Sequence, residues 1–159
     1  RLTIKSEIAV YIYFKFKEFL KMAKRVKVDM DSFAYTPMFE RLAKVKVRAC
    51  FDGGDILYVV LSPGFLRKAI GKNGETIKRF SERVGKKIKL AEYNLDIKRF
   101  IKNIIYPLQV EDIEVFDDHV IIKDSSKKTK SLLIGRDAKN LKMLNDIVGR
   151  FFNKDVKIG

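Results

Sequence analysis

The sequence predicts an α+β protein built from two tandem copies of one unit, each a three-stranded sheet with helices packed on one face. Three observations carry this expectation. The chain matches itself at an offset of 64 residues. Each copy switches between helical and strand periodicity in the same order. The composition, 47% hydrophobic and 34% charged over 159 residues, describes a folded chain of one ordinary domain or two small ones, not a disordered tail.

The repeat comes first because it sets the architecture. Ile70-Gly71-Lys72-Asn73-Gly74 aligns with Ile134-Gly135-Arg136-Asp137-Ala138. At the same offset Ile77 meets Leu141, Lys78 meets Lys142, Phe80 meets Leu144, Val84 meets Val148 and Gly85 meets Gly149. After a small insertion, Lys87-Ile88-Lys89-Leu90 meets Asp155-Val156-Lys157-Ile158. Each copy is of the size at which small domains first fold alone.

In the first copy, Phe33, Met38, Phe39 and Leu42 suit a helix with Asp31 or Ser32 as its cap. Val45, Val47 and Ala49 alternate with Lys46, Arg48 and Cys50, the pattern of a half-buried strand. Asp52-Gly53-Gly54-Asp55 reads as a hairpin turn. The continuous apolar run 56–61 reads as a well-buried strand, broken by Ser62-Pro63-Gly64. A short helix over 65–70 leads into the glycine turn 71–74. A helix over 76–84 follows, ended by Gly85, and a strand over 88–91 closes the unit. The second copy repeats the order: a helix over 96–105, a break at Pro107, strands near 110–116 and 120–123, helices on either side of Gly135, and a last strand near Val156. The expected boundaries are 1–28 for a basic extension, 29–93 for the first unit and 94–159 for the second.

The 34 Lys and Arg outnumber the 20 Asp and Glu, for a formal charge of +14. So strong a positive field selects polyanions as partners: RNA, DNA or an acidic membrane surface. The cations crowd around the two glycine turns, at Arg67, Lys68, Lys72, Lys78, Arg79, Arg83, Lys86, Lys87 and Lys89, and again from Lys127 to Lys142. The single cysteine, Cys50, excludes an intrachain disulfide and reads as a small buried apolar residue in a reducing compartment. The apolar run 8–14 is far short of the roughly 20 residues of a membrane span. Lys15, Lys17 and Lys21 interrupt any signal-peptide pattern.

A Gly-x-x-Gly turn between two helices has a physical use. Without side chains on Gly71 and Gly74, a phosphodiester backbone can approach closely. The next helix points its free N–H groups and positive dipole end at that backbone. Lys72 puts a charge at the tip beside Asn73. Arg67, Lys68, Lys78 and Arg79 flank the path, and Ile70 and Ile77 offer an apolar floor for bases. Single-stranded RNA suits such a site because its bases are splayed and available.

The segment from Ala69 through Gly71-Lys72-Asn73-Gly74 to Lys78 closely resembles the signature of the KH domain. The order of elements resembles its prokaryotic form, type II. Ile101-Lys102-Asn103, then Pro107 and Val110, resembles the junction between the tandem KH domains of NusA, and the match is closest to short archaeal NusA-like transcription factors. The resemblance implies a cytoplasmic factor that binds nascent single-stranded RNA, acts on termination, antitermination or elongation, and contacts RNA polymerase. It implies no catalysis and no cofactor. Gly71 to Gly74 would be the first backbone clamp, while Gly135, Arg136, Asp137 and Ala138, flanked by Lys139 and Lys142, occupy the second. Ala138 in place of the last glycine and the carboxylate of Asp137 both oppose a phosphate there. The alternative within RNA binding is a ribosome-associated or ribosome-assembly protein.

Other motifs weigh less. Gly64 and Gly71-Lys72 have the wrong spacing for a nucleotide-binding P-loop, with Asn73 where a magnesium-binding Ser or Thr is required. His119, the one histidine, falls in an expected polar turn without a nucleophile. Asp52, Asp55, Asp117 and Asp118 lack the ligand series of a calcium loop and read as turn residues. Residues 1–28 stand outside the repeat. Ser6 could cap a helix with Ile8, Ile12, Phe16, Phe19 and Ala23 on one face, while Tyr11, Tyr13, Lys15 and Lys17 suit a strand equally well. The expectation is an extra element packed on the first unit; a basic segment gripping RNA, polymerase or a membrane is the alternative. Residue 1 is Arg, and Met22 offers another start.

Overall fold

The computed structural model describes residues 4–25 and 30–159. The chain opens with α1 (Ile4–Arg25), one continuous helix, with Ser6 inside it and not at its cap. A lone strand there would leave its backbone unpaired, whereas a helix satisfies its own.

The first unit follows as α2 (Met30–Ala43), β1 (Val47–Asp52), β2 (Ile56–Leu61), α3 (Leu66–Ile70), a single 3-10 turn (Lys72–Gly74), α4 (Glu75–Val84) and β3 (Lys87–Glu92). The second is α5 (Ile97–Ile105), β4 (Asp112–Val115), β5 (His119–Lys123), α6 (Lys127–Ile134), a matching turn (Arg136–Ala138), α7 (Lys139–Phe152) and β6 (Asp155–Ile158). Helix α2 already includes Asp31 and Ser32, so neither caps it, and the residue before it lies outside the described residues. Each unit forms its own three-stranded sheet, ordered β1-β2-β3 and β4-β5-β6. In each, a hairpin gives the antiparallel pair, and the third strand runs parallel to the central one. The parallel pair needs a crossover, which the helices on either side of the glycine turn supply.

The alternation expected over 45–50 breaks at Arg48. Val47 pairs with Leu61 and Ala49 with Val60, which leaves Arg48 as an extra, bulged residue. A bulge switches which parity faces inward. Val45 and Val47 are therefore buried, but then Cys50 is buried in place of Ala49. The Thr36 hydroxyl donates to Cys50 Sγ at 3.4 Å, and burial pushes the thiol pKa up to about 11.

Strand β2 is apolar on both faces because both faces are covered. Leu57, Val59 and Leu61 pack toward Phe39 of α2 and Phe80 of α4, whose rings lie 4.6 Å apart. Tyr58 and Val60 pack into the core of the second unit, together with Ala91 of β3. The first sheet thus carries helices on one face and the second unit on the other. The second sheet differs. By strand register, its outward positions Glu114, Ile121 and Lys123 correspond to Phe51, Tyr58 and Val60 of the first. There Lys123 pairs with Glu114 at 2.6 Å, on a face left to solvent.

The insertion that interrupts the repeat is one extra helical turn. Helix α4 has 10 residues and α7 has 14. Gly85 ends α4 in the left-handed conformation, but Gly149 lies buried within α7, and Asn153 takes the left-handed cap instead. The added turn carries Phe151 and Phe152. Phe151 lies 5.3 Å from the ring of Tyr93, 5.5 Å from Phe100 and 6.3 Å from Phe51; Phe152 lies 6.0 Å from Tyr93 and 5.6 Å from Phe100. The Arg48 guanidinium covers Tyr93 at 4.2 Å. This aromatic cluster joins the two units. Helix α1, expected on the first unit, makes its main described approach to α7 of the second, with residues 7–20 all exposed.

The β1–β2 hairpin turns through Asp52, whose carboxylate accepts from Gly54 N–H at 2.8 Å and from Lys86 Nζ at 2.6 and 2.7 Å. Burial raises the Asp52 pKa, but the bonds from Lys86 and Gly54 and the Lys86 charge outweigh it, so the net shift is downward. A depressed folded value stabilises above the unfolded pKa of about 3.9 and loses that stability as pH falls through the folded value. Asp52→Asn is therefore expected to flatten the acid limb of the stability–pH curve, measured by urea unfolding from neutral pH downward. Phe100 is fully buried at the joint. Phe100→Ala is expected to cost about 3–5 kcal/mol in the same assay.

Candidate nucleic-acid interface

The first loop begins where α3 ends at Ile70. Gly71 takes φ 78°, ψ 174°, Asn73 φ 56° and Gly74 φ 72°. The second repeats the path: Gly135 at φ 73°, ψ 173°, Asp137 at φ 54° and Ala138 at φ 58°. The glycines differ in purpose. A Cβ on Gly71 would run into the Thr76 side chain and lie 3.0 Å from the Thr76 nitrogen. A Cβ on Gly135 would meet Asn140 at 2.7 Å. The first glycine of each loop is thus required by packing against the following helix. A Cβ on Gly74 would meet nothing nearer than Ile77 Cγ2 at 4.0 Å. The missing side chain at Gly71 thus leaves room for Thr76, and the one at Gly74 leaves open space beside the loop. Ala138 holds the left-handed corner despite its side chain, at a cost of roughly 1 kcal/mol.

Around the first loop, Lys72 and Asn73 are exposed at the tip, and Arg67, Lys68 and Lys78 are exposed beside it. Arg79 pairs with Glu75 at 3.3 Å, so its charge is shared within α4. Ile70 is 37% exposed, and Ile77 is half-buried beneath the corner. No side chain caps the first turn of α4. Helices α3 and α4 lie against β3, whose one strand partner among the described residues is β2; Asn103 Nδ2 donates to the Glu92 carbonyl of β3 at 2.9 Å.

The second loop is electrostatically mixed. Arg136 and Asp137 are both exposed at its tip. Lys139 Nζ lies 3.5 Å from Asp55 Oδ2, in the hairpin turn of the first unit. Lys142 is exposed one turn further on. The sequence assigned no loop role to Thr76 or Asn140, and placed Asp55 only in the hairpin turn. The signal for the first two was present: a polar residue stands five positions after the first glycine in both copies. The pairing of Asp55 with Lys139 carried no signal, because it depends on how the units join.

His119 opens β5, stacks on Phe116 at 4.7 Å and places Nδ1 2.5 Å from Asp118 Oδ1. That bond lowers the Asp118 pKa. Among the described residues, no group of three or more His, Cys, Asp or Glu is placed to hold a metal ion. Among them, too, no helix is long and apolar enough to cross a membrane.

Two α+β units, each turning its chain through the same left-handed corner, define a protein of two KH-like units. Its relatives give the family. The chain is 32% identical over 138 residues to "Probable transcription termination protein NusA" of Methanococcus vannielii, covering 84% of this chain and 80% of that one. The same-named protein of Methanocaldococcus jannaschii is 31% identical over 132 residues, covering 81% and 72%, and that of Thermoplasma acidophilum 27% over 131 residues, covering 80% and 91%. The chain belongs to the archaeal NusA family. The crystal structure of APE1850 superposes with a TM-score of 0.67 at 28% identity, over 83% of this chain and all of that one. No family model matches the chain.

Gly71→Ala is expected to destabilise the protein by about 2 kcal/mol or more, through the clash with Thr76 added to left-handed strain. Gly74→Ala is expected to cost only about 1 kcal/mol, the strain alone. Thermal unfolding of the two variants side by side makes the comparison.

Proposed function

We propose that the chain is a NusA-type transcription factor that grips nascent single-stranded RNA and acts on termination, antitermination and elongation together with RNA polymerase. The observation that carries this reading is the exposed corner Gly71–Gly74 at the uncapped start of α4, tipped by Lys72 and Asn73. The element order of each unit, with its third strand parallel to the central one, supports two type II KH domains. Names of the archaeal relatives support the transcriptional role.

In this mechanism the RNA backbone lies across Gly74, where no side chain intervenes. A phosphate faces the first-turn N–H groups of α4, which favour an anion through direction and dipole. Lys72, Arg67, Lys68 and Lys78 neutralise neighbouring phosphates. Bases turn toward Ile70, Ile77 and the edge of β3 away from β2, where backbone groups of an edge strand can meet base edges. The second loop keeps the shape but offsets Arg136 with Asp137, so it binds more weakly. The protein works in the cytoplasm as a binder and turns over no substrate.

Replacing Lys72 and Asn73 together by Asp is expected to weaken binding of a short single-stranded RNA at least tenfold, read by fluorescence anisotropy, with the thermal melt unchanged. For the unaltered chain, log affinity is expected to fall with log salt by about 0.7 per phosphate contacted. Unchanged affinity in the double variant, or a flat salt plot, would remove the first loop from the binding surface.

A further inference from the structure

The second glycine corner is seated against the first unit. Lys139 and Met143, one turn apart on the same face of α7, both reach the β1–β2 hairpin. A Cβ on Gly53 would meet Met143 Cε at 3.3 Å, and one on Gly54 would meet Lys139 Nζ at 3.6 Å. Turn residues without side chains let the start of the helix come this close. The hairpin tip is fixed in place. The Asp52 carboxylate accepts from Gly54 N–H and Lys86 Nζ, and the Asp55 carbonyl accepts from Lys87 N–H at 3.0 Å. Asp55 Oδ2 then lies 3.5 Å from Lys139 Nζ.

At the 64-residue offset, Lys139 stands where the first copy has Glu75, and Met143 where it has Arg79. Glu75 and Arg79 pair with each other within α4 at 3.3 Å. The same helix face therefore closes on itself in the first unit and reaches across the joint in the second. The charges follow. Arg136 and Lys139 at the second corner are matched by the carboxylates of Asp137 and Asp55. Asp137 belongs to the loop itself, whereas Asp55 comes from the other unit.

We propose, on the footing of the RNA-binding reading, that Asp55 is a positioning residue for the RNA: acting through Lys139, it keeps a phosphate off the second corner and so directs the RNA backbone to the first. A phosphate at the start of α7 is best held by a cation beside the first-turn N–H groups, and Lys139 is the first residue of that helix. To bind there, a phosphate must displace the Asp55 carboxylate from Lys139 and lie near a second carboxylate on Asp137. Both partners of the Asp55–Lys139 pair are more than half exposed, so its effect is modest and fades with salt.

Fluorescence anisotropy of a labelled short single-stranded RNA tests this in the full chain carrying Lys72→Asp and Asn73→Asp, where the first loop no longer masks the second. Adding Asp55→Asn is expected to raise affinity about two- to fivefold at low salt, the range of an exposed ion pair. The log–log salt slope is expected to steepen by about 0.7, for one added phosphate. Asp118→Asn makes the same charge change in the hairpin of the second sheet, at a carboxylate paired with His119, and is expected to leave both readings unchanged. Lys139→Gln is expected to abolish the gain from Asp55→Asn. An equal gain from Asp118→Asn would overturn the proposal, because net charge alone would then explain it. So would a gain that survives Lys139→Gln, or an Asp55→Asn variant with unchanged affinity and slope, whose pair would serve only to offset a lysine at a helix start. A parent chain with no affinity for the RNA, or one indifferent to the first-loop substitutions, would instead overturn the RNA-binding reading, and the proposal with it.

Discussion

Two phenylalanines on one added helical turn hold the molecule together as a single body. Phe151 and Phe152 pack onto Tyr93, Phe100 and Phe51, and each aromatic pair contributes about 0.5–1.5 kcal/mol beyond the area it buries. Tyr58, Val60 and Ala91 of the first sheet share one core with Ile97, Phe100, Ile101 and Ile104 of α5, and the added turn packs Phe151 and Phe152 against the edge of that core. The joint also sets the acidic hairpin tip of the first unit beside the second loop. The charge environment of that loop is therefore a property of the assembly and not of its own unit.

The two loops show backbone and chemistry separating during duplication. Their dihedral angles agree within about 20°, yet one is tipped by Lys-Asn and the other by Arg-Asp. The shared shape rests on the inward-pointing first glycine and the polar side chain behind it, Thr76 or Asn140. These features keep the corner whether or not a ligand uses it. Ala138 tolerates a left-handed conformation because the surrounding helices impose it. Shape alone is thus a poor guide to binding, and the tip residues together with Gly74 are a better one.

Much of this was legible in the sequence. The repeat was visible because glycines and buried apolar positions cannot drift without loss of packing. The hairpin turns, the central strand and the first loop followed from the same constraint. What escaped were features decided by tertiary contact. The bulge at Arg48 hides in a stretch whose alternation looks intact, and only the pairing with β2 reveals it. Gly149 looks like a helix end, but the packing of Phe151 and Phe152 carries the helix through it, and Asn153 ends the turn instead. Helix α1 had two local readings because its apolar residues satisfy both periodicities. The packing of Gly71 against Thr76 was not legible, since a sequence does not tell which way a missing side chain would have pointed.

The outer side of the second sheet is chemically unlike its counterpart on the first. Where the first sheet offers Phe51, Tyr58 and Val60 as a socket, the second offers Glu114, Ile121 and Lys123. A helical turn like the last one of α7 would have to strip water from a paired lysine and glutamate to seat there, with no apolar reward. Two copies of one backbone thus present opposite surfaces, one that wants an apolar cover and one that is at ease in water.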